Sequence, residues 1–173
     1  MQLIFSSAVH APDHGRLRPW RFVVVRGAAR SGLGDLFAAH LERTQPGLGS
    51  EARERERLKA FRAPLVVVVA AHCNPAVKIP LIEQTLSAGT AAHAMMLAAF
   101  ALGFNAMWKT GGPAYDEAVK EGLGLRPTDA IVGFLYLGTE TSIPAAPGAP
   151  REWRDLVSYF GEAAGPSGAP AAR

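Results

Sequence analysis

The sequence predicts an α+β sandwich in which helices cover a small mixed sheet. Two segments, 65–71 and 130–137, are rich in apolar and β-branched residues on both faces, which is typical of strands covered on both sides. Segments with helical spacing outweigh the strands. The longest of them carries no formal charge from Ser87 to Phe104. Helices that outweigh doubly buried strands favour a layered α+β architecture.

Size and composition are those of one globular domain. The chain has 173 residues, of which 49% are hydrophobic and 19% charged, and a net charge of +3. No lysine-rich stripe with interleaved aromatic residues occurs, so we expect no nucleic-acid partner. The single Cys73 excludes an intramolecular disulfide and favours a reducing, cytoplasmic location. Residues 1–15 do not resemble a signal peptide.

The first half of the chain alternates helices and strands. Residues 1–9 are expected to form the last turns of a helix, which Pro12 and Gly15 interrupt. Residues 22–25 predict a strand and residues 28–41 a helix. A highly charged helix is expected over 50–61, with Ser50 as its N-cap and a solvated face of alternating Glu and Arg.

The second half continues with the strand over 65–71 and the long apolar helix, which Gly103 ends. A strand over 105–108, a helix over 115–123 and a strand over 130–137 follow. Residues 156–160 predict a fifth strand, separated from the rest by a Pro-rich arm that is suited to reaching another subunit. Residues 161–173 are expected to be a disordered tail.

The long apolar helix has two interpretations, a membrane span or a helix buried on all sides. Ser87, Thr90 and His93 interrupt it, and alanine, a weak membrane inserter, supplies much of its length. These residues favour a buried helix with His93 as a core histidine, and no membrane segment is expected.

Residues 10–20 form the first candidate site. This segment holds two histidines, basic residues and Trp20 in a loop with fixed bends. Backbone donors, cationic side chains and an aromatic ring suit a planar anionic ligand. The alternative is a polar turn before a strand, with Trp20 in the core, and the residues alone leave the two about equally supported.

Residues 108–112 form the second candidate. A strand ends there in Lys109, Thr110 and two glycines, a combination that makes an anion-binding nest. The alternative is a connecting loop with a solvated Lys109. A metal site is not expected, because Pro12 lies between His10 and His14 and prevents them from sharing a helical face.

Four segments together resemble the nitroreductase family, and most closely its small YdjA-like branch of FMN-dependent NAD(P)H oxidoreductases. The similarity runs in order from about His10 to Phe160. Its segments are HAPDHGRLRPWRFVVVRG, FRAPLVVVVAAHC, IEQTLSAGTAAHAMMLAAFALGFNAMWKTG and IVGFLYLGT.

The resemblance implies a three-layer sandwich with a small, mainly antiparallel sheet and a domain-swapped C-terminal strand. Residues 1–160 would form one FMN-binding domain in a homodimer with its site at the subunit interface. In one subunit the contacts to FMN would be His10, where close relatives carry Arg, and His14. The contacts from the other subunit would be Trp108, Lys109 and Thr110. Weaker candidates for contact with the nicotinamide nucleotide are Ala98, Ala99, Phe100, Ala101, Leu102 and Gly103, which the residues themselves favour as a buried helix end.

The activity that the resemblance implies is hydride transfer from NAD(P)H through bound FMN to a small electron-poor acceptor, such as a nitroaromatic or a quinone. Two substrates that share one site give ping-pong kinetics. Lys109 would stabilise the anionic reduced flavin, with His14 as the second candidate for this role.

The alternative function is that of a non-catalytic flavin-binding or scaffolding dimer. Family members usually begin with a helix and an Arg-Arg-Ser segment that grips the FMN phosphate, and neither is recognisable in this sequence. A cofactor-free interaction module is a third, more remote reading.

Overall fold

A computed structural model describes residues 1–141 and 152–161 of the chain, which divides into two compact units, 1–141 and 142–173. The first unit alternates helices and strands. Its helices are α1 Gln2–Ala8, α2 Ala29–Thr44, α3 Ser50–Leu58, α4 Leu81–Ala101 and α5 Glu117–Gly122. Its strands are β1 Trp20–Arg26, β2 Leu65–Ala71, β3 Asn105–Lys109 and β4 Ala130–Gly138.

The four strands form one sheet in the order β1-β2-β4-β3, and every neighbouring pair is antiparallel. β2 and β4 lie in the centre, which explains why both are apolar along their whole length. A register shift between Val69 and Ala70 marks a bulge in β2. The α+β prediction is confirmed, but the sheet of the described residues is purely antiparallel rather than mixed.

The two faces of the sheet support separate cores, because successive side chains along a strand point to opposite faces. Val67, Val69 and Leu135 pack against α1 and α4. Val66, Val68 and Phe134 pack against α2, α5 and two short 3-10 turns. The sheet therefore lies between two helical layers, which is the predicted three-layer arrangement.

α4 ends at a glycine C-cap. Gly103 has a φ of +81°, the Gly103 amide donates to Phe100 O over 3.0 Å, and the Phe104 amide donates to Ala99 O over 2.9 Å. This left-handed termination is the one that glycine favours, and it confirms the prediction that Gly103 ends the helix.

Within a single chain α4 is buried on one side only, so burial on all sides would need a second subunit. One side packs on the sheet through Ala88, Ala91, Ala92, Met95 and Ala99. The other side is exposed in the chain, including His93, and its large apolar residues are Ile82, Leu86, Leu97 and Phe100. Helical periodicity separates the two sets, so His93 is not a core histidine.

The starts of α3 and α5 differ from the prediction. Gly49, not Ser50, precedes α3 as its N-cap. The helix expected over 115–123 begins only at Glu117, because the Asp116 carboxylate accepts the Val119 amide over 3.0 Å and caps it there. A 3-10 turn over Gly112–Tyr115 replaces its first residues.

Of the second unit, the structure describes residues 152–161. They contain a 3-10 turn, Arg154–Leu156, followed by an extended Val157 with φ −117° and ψ 131°. The fifth strand predicted over 156–160 is not formed in these residues, and Leu156 belongs to the turn. An extended segment becomes a strand only when its backbone groups pair with another strand. Residues 142–151, which include most of the Pro-rich arm, and residues 162–173, in the predicted tail, lie outside the described residues.

Across 1–141 and 152–161, no helix combines the length and the apolar character needed to cross a membrane.

Candidate functional site

The loop between α1 and β1 has an unusual backbone. Gly15, Arg16 and Arg18 have φ values of +73°, +54° and +47°. Left-handed conformations are uncommon for residues with a Cβ, and they persist where the surrounding structure enforces them. The Asp13 carboxylate enforces them here, because it accepts the backbone amide of Leu17 over 3.2 Å and that of Arg18 over 2.7 Å. The loop is therefore held in one defined shape.

Two further hydrogen bonds fasten this loop to the N-terminal half of α4. His14 Nδ1 donates to Glu83 Oε2 over 2.6 Å, and Ser87 Oγ donates to Pro12 O over 2.7 Å. The His14 side chain is nevertheless 66% exposed. Its ring is held through Nδ1, and Nε2 forms no hydrogen bond within the described part of the chain.

The remaining loop residues divide between surface and core. His10 is exposed at the end of α1 and donates from Nδ1 to Ser6 O over 2.7 Å. Arg16 and Arg18 are also exposed, and neither forms an ion pair within the described part of the chain. Trp20 is only 9% exposed and belongs to the core. The polar end of the loop therefore remains available to a ligand, whereas its tryptophan does not.

In the second candidate segment, residues 108–112, Trp108 and Lys109 are consecutive residues of β3, so their side chains point to opposite faces of the sheet. Trp108 lies opposite Leu135 and packs on the α4 side, where its Nε1 donates to Val132 O over 3.3 Å. Lys109 lies opposite Phe134, on the side of the sheet covered by α2. Residues directly opposite in a pair share a face. The indole and the ammonium group thus project to opposite faces of the sheet, and Trp108 contributes mainly to packing.

The loop after β3 is held against α2. A Cβ placed on Gly112 would come within 2.3 Å of His40 Nε2, so only a glycine allows this approach. His40 Nδ1 donates to Asp116 Oδ2 over 2.6 Å, and Arg43 donates to the same carboxylate over 2.8 Å. Burial opposes the charge on Asp116, but the bonds from His40, Arg43 and the Val119 amide hold the pKa of its carboxyl well below the ordinary value.

The C-terminal end of α4 offers no polar side chain. Ala99 is buried and Ala98 half-buried, whereas Phe100, Ala101, Leu102 and Gly103 are exposed. Phe100 is 74% exposed, so the interpretation of 98–103 as a buried helix end holds only for its first two residues. These residues present an apolar surface and no side-chain donor for a phosphate.

Within one chain, α4 contacts both predicted segments. Glu83 and Ser87 hold the His10–His14 loop, and a Cβ built on Gly89 would lie 3.8 Å from Trp108 Cη2. The sequence predictions did not include the residues that fix the loops, namely Asp13, Glu83, Ser87, His40 and Asp116. Asp13 alone carried a local signal, because Asp bonds to nearby backbone amides in turns. The others act on residues far away in sequence.

No group of three His, Cys, Asp or Glu side chains in the described residues is arranged to hold a metal ion.

The fold and the two segments define a class of small α+β chains with an antiparallel sheet between helical layers and two candidate loops beside one central helix. The model of the nitroreductase family matches residues 1–139, and the chain belongs to this family of oxidoreductases. The chain is 42% identical to the Escherichia coli K12 protein named "Putative NAD(P)H nitroreductase YdjA" over 167 residues, covering 92% of this chain and 86% of the relative. A Haemophilus influenzae protein with the same general name is 33% identical over 161 residues, with the same shares covered.

Solved structures share the fold. The nitroreductase-like family protein from Bacillus cereus superposes with a TM-score of 0.76 at 24% identity, covering 92% of this chain and 82% of the other. A nitroreductase from Desulfovibrio desulfuricans in complex with FMN gives a TM-score of 0.67 at 21% identity, covering 90% and 80%. A Bacteroides fragilis nitroreductase with bound FMN gives 0.60 at 21% identity, covering 87% and 86%.

Proposed function

We propose that the chain is an FMN-dependent oxidoreductase that transfers hydride from NAD(P)H through bound FMN to a small electron-poor acceptor, such as a nitroaromatic or a quinone. The observation that carries the proposal is the strained, externally fastened loop over 10–18 in a chain of the nitroreductase family. Backbone strain that the surrounding structure maintains is concentrated at functional sites. The relatives named as NAD(P)H nitroreductases and the FMN complexes with the same fold support the choice of cofactor and donor.

The residues present fit FMN. The His14 ring is held by Glu83 through Nδ1, and the exposed Arg16 and Arg18 add positive charge beside it. Lys109, Thr110 and Gly111, with a φ of +117° at Gly111, supply an ammonium, a hydroxyl and a backbone turn suited to an anion. His10, His14, Trp108, Lys109 and Thr110 would hold the cofactor, with Trp108 acting through its backbone because its indole is committed to the core.

FMN supplies the hydride acceptance and donation, and the protein binds, orients and shields it. The hydride step itself needs no acid–base residue of the protein. NAD(P)H and the acceptor would occupy the same place in turn, so the kinetics would be ping-pong. Lys109, with His14 as the second candidate, would stabilise the negative charge of the reduced cofactor.

We also propose that the working unit is a homodimer. The exposed side of α4 carries four large apolar residues, Ile82, Leu86, Leu97 and Phe100, between 58% and 74% exposed. An exposed stripe of this kind on one helix marks an interaction surface. Residues 152–161 add exposed apolar residues that a neighbouring subunit would cover, namely Trp153, Leu156, Val157, Tyr159 and Phe160. The predicted flavin contacts from two subunits require such an assembly.

The test begins with the purified full chain. We expect a yellow protein, or uptake of added FMN, together with oxidation of NADH or NADPH that depends on an acceptor.

His14→Gln should weaken FMN binding by about tenfold, because a charge-assisted hydrogen bond contributes about 1.5 kcal/mol or more. Arg26→Gln, about 20 Å along β1 from Trp20 by strand geometry, is the matched control and should bind normally. A colourless protein that takes up no FMN would refute the proposal, and bound FMN that neither NADH nor NADPH reduces would favour a non-catalytic flavin-binding dimer.

A further inference from the structure

Gln84 is a polar side chain buried in the first turn of α4. The residue is only 2% exposed, yet every hydrogen bond that its carboxamide forms goes to residues that precede the helix. Its oxygen accepts the Asn74 amide over 2.8 Å, and its nitrogen donates to Asn74 O over 3.0 Å and to Ile79 O over 2.9 Å. Both N–H groups and the oxygen are therefore used on residues 74–79, which we call the brace segment.

The brace segment lies at the surface but is held from below. Residues 74, 75, 76 and 78 are exposed, and the side chain of Asn74 accepts the Ala76 amide over 3.0 Å within the turn. Exposed loops are ordinarily among the more mobile parts of a protein. A buried polar group whose bonds are all satisfied makes the backbone that it binds more rigid. Ile79, at the end of the brace segment, is therefore held in a defined position.

Ile79 lies against the loop over 10–18, which we call the flavin loop. A Cβ built on Gly15 would come within 2.2 Å of Ile79 Cδ1 and 3.6 Å of Ile79 Cγ1. The half-buried Ile79 side chain thus fills the space beside the Gly15 Cα. Gly15 has a φ of +73° and stands between His14 and Arg16, so the contact is made at the turn that directs both side chains.

This contact completes a set of supports that all start from the first turns of α4. Glu83 binds the His14 ring, and Ser87 binds the backbone of the flavin loop. Gln84 adds a third support through Ile79. Glu83 and Ser87 are four residues apart and share one side of the helix. One helix therefore sets the shape of a loop that lies 69 positions earlier in the sequence at His14.

We propose that Gln84 and Ile79 are positioning residues for the cofactor, which act through the flavin loop. Gln84 fixes the brace segment, and Ile79 supports Gly15 so that His14 beside it keeps one orientation. The inference rests on the proposed function, in which the flavin loop contacts FMN. A loop that is already held in its binding shape loses less entropy when the ligand binds, so both residues raise the affinity for FMN.

The first test removes the hydrogen bonds of Gln84 and keeps its size. Gln84→Met has a side chain of similar length without the carboxamide. We expect the dissociation constant for FMN to rise about tenfold in the full chain. In the absence of FMN, the Leu17 and Arg18 amides, which donate to Asp13, should exchange with solvent about tenfold faster, as measured by NMR.

Val25→Ala is the matched control for a loss of stability alone. Val25 is 5% exposed, packs on the face of the sheet opposite α4 and lies about 17 Å along β1 from Trp20 by strand geometry. Urea denaturation should show a lower stability, with FMN affinity unchanged and amide exchange in the flavin loop no faster than the change in global unfolding requires. Equal effects of Gln84→Met and Val25→Ala on the flavin loop would overturn the proposal.

The second test changes the contact between Ile79 and Gly15 from both sides. Gly15→Ala adds the Cβ that would meet Ile79 Cδ1, and Ile79→Val removes that methyl group and leaves Cγ1 at 3.6 Å. Because Cδ1 ends a flexible side chain and can turn aside, we expect FMN affinity to fall only severalfold in Gly15→Ala. In the double variant it should return close to that of Ile79→Val. A double variant that binds FMN no better than Gly15→Ala would refute the role of Ile79.

Gly124→Ala separates this contact from backbone strain. Gly124 has a φ of +72°, close to that of Gly15, and a Cβ built there would meet nothing within 4 Å. The variant should therefore lose stability through the left-handed backbone and keep the FMN affinity of the wild type. An equal loss of FMN affinity in the two glycine variants would contradict the proposal, since strain alone would then explain it.

A chain that binds no FMN would refute the proposed function without deciding the role of Gln84. Amide exchange of Leu17 and Arg18 is measured without flavin and decides that role by itself. Faster exchange in Gln84→Met than in Val25→Ala supports the brace, and equal exchange in the two variants rejects it.

Discussion

At the residue scale, Asp116 joins three parts of the molecule through one carboxylate. It caps α5, accepts His40 and Arg43 from α2, and through His40 fixes the glycine loop that carries the second predicted segment. The side chain is only 11% exposed, so its bonds are little screened by solvent. A single half-buried acid thus links local stability to the shape of the candidate site.

Asp116→Ala should lower the free energy of unfolding by about 2–3 kcal/mol, because a helix cap and two charge-assisted bonds are lost together. Urea denaturation followed by circular dichroism measures the change. Glu121→Ala, an exposed acid on the same helix, is the control and should stay within about 0.5 kcal/mol of the wild type. Equal stabilities of the two variants would contradict the role assigned to Asp116.

The same carboxylate predicts a pH dependence. Its pKa is lower in the folded chain than in the unfolded one, so the unfolded state takes up a proton first as the pH falls. The contribution of Asp116 to stability is therefore complete above about pH 4–5 and decreases as the pH falls below about 3.9, the ordinary Asp value. The stability gap between wild type and Asp116→Ala should narrow in that acid range, as followed by urea titrations at successive pH values. A gap that stays constant down to pH 2 would exclude this linkage.

Substituting alanine for either of two glycines near Trp108 should change the free energy of unfolding, in opposite directions for the two positions. A Cβ on Gly133 would come within 2.1 Å of Trp108 Nε1, so Gly133→Ala should destabilise by about 1–3 kcal/mol through overpacking. A Cβ on Gly89 meets the same ring at an ordinary 3.8 Å, so Gly89→Ala should stabilise α4 by about 0.5–1 kcal/mol. Urea denaturation of both variants measures the two changes. Effects of the same sign would show that Trp108 packs differently.

Some of these residue-level details could be predicted from sequence and others could not. The burial of Trp20 and the end of α4 at Gly103 have local causes. Trp20 starts an apolar strand, and Gly103 is a glycine that favours the end of a helix, so the sequence offers both outcomes. The contact of His40 with Asp116 spans 76 positions, and that of His14 with Glu83 spans 69. Such contacts depend on how elements pack, which local propensity does not encode.

At the element scale, α4 shows where a correct assignment still misses the packing. Its length and its end at Gly103 follow from composition and from glycine geometry. Which side of α4 packs on the sheet does not follow from composition, because small and large apolar residues occur around the helix without a polar side that would orient it. The small residues pack on the sheet and the large ones point outward, so the sheet-facing Ala91 is unsuited to interface contact.

The dimer proposal can be tested on α4 itself. Leu97→Glu should give a folded monomer with weakened FMN binding, because it places a charge on the exposed apolar side of the helix. Ala91, by contrast, is fully buried on the sheet, so Ala91→Glu should unfold the chain rather than dissociate it. Leu58→Glu, on the 52%-exposed Leu58 of α3, is the control and should remain dimeric. Analytical ultracentrifugation with FMN titration distinguishes these outcomes, and a Leu97→Glu dimer that binds FMN normally would place the interface elsewhere.

At the scale of the whole molecule, the α+β class and all four strands of the first unit were predictable because those strands are short apolar runs bounded by Gly, Pro and Asn. The sheet order β1-β2-β4-β3 was not, since pairing between strands that are distant in sequence leaves no local trace. The fifth strand illustrates the same limit. Residues 156–160 have strand-like composition, yet strand formation depends on a partner that one chain does not specify.

The division into units leads to a test of the complete chain. A version that ends at Thr141 keeps every strand of the sheet and both cores, so we expect it to fold with a cooperative thermal transition. It should not form the dimer and should lose FMN at least tenfold more readily, because the apolar residues of 152–161 that we propose to contact a second subunit are removed. A version that ends at Gly161 lacks only the predicted tail and should match the full chain in size and flavin affinity. If the version ending at Thr141 is a dimer with normal FMN affinity, the C-terminal segment has no part in assembly and the exposed side of α4 suffices for it.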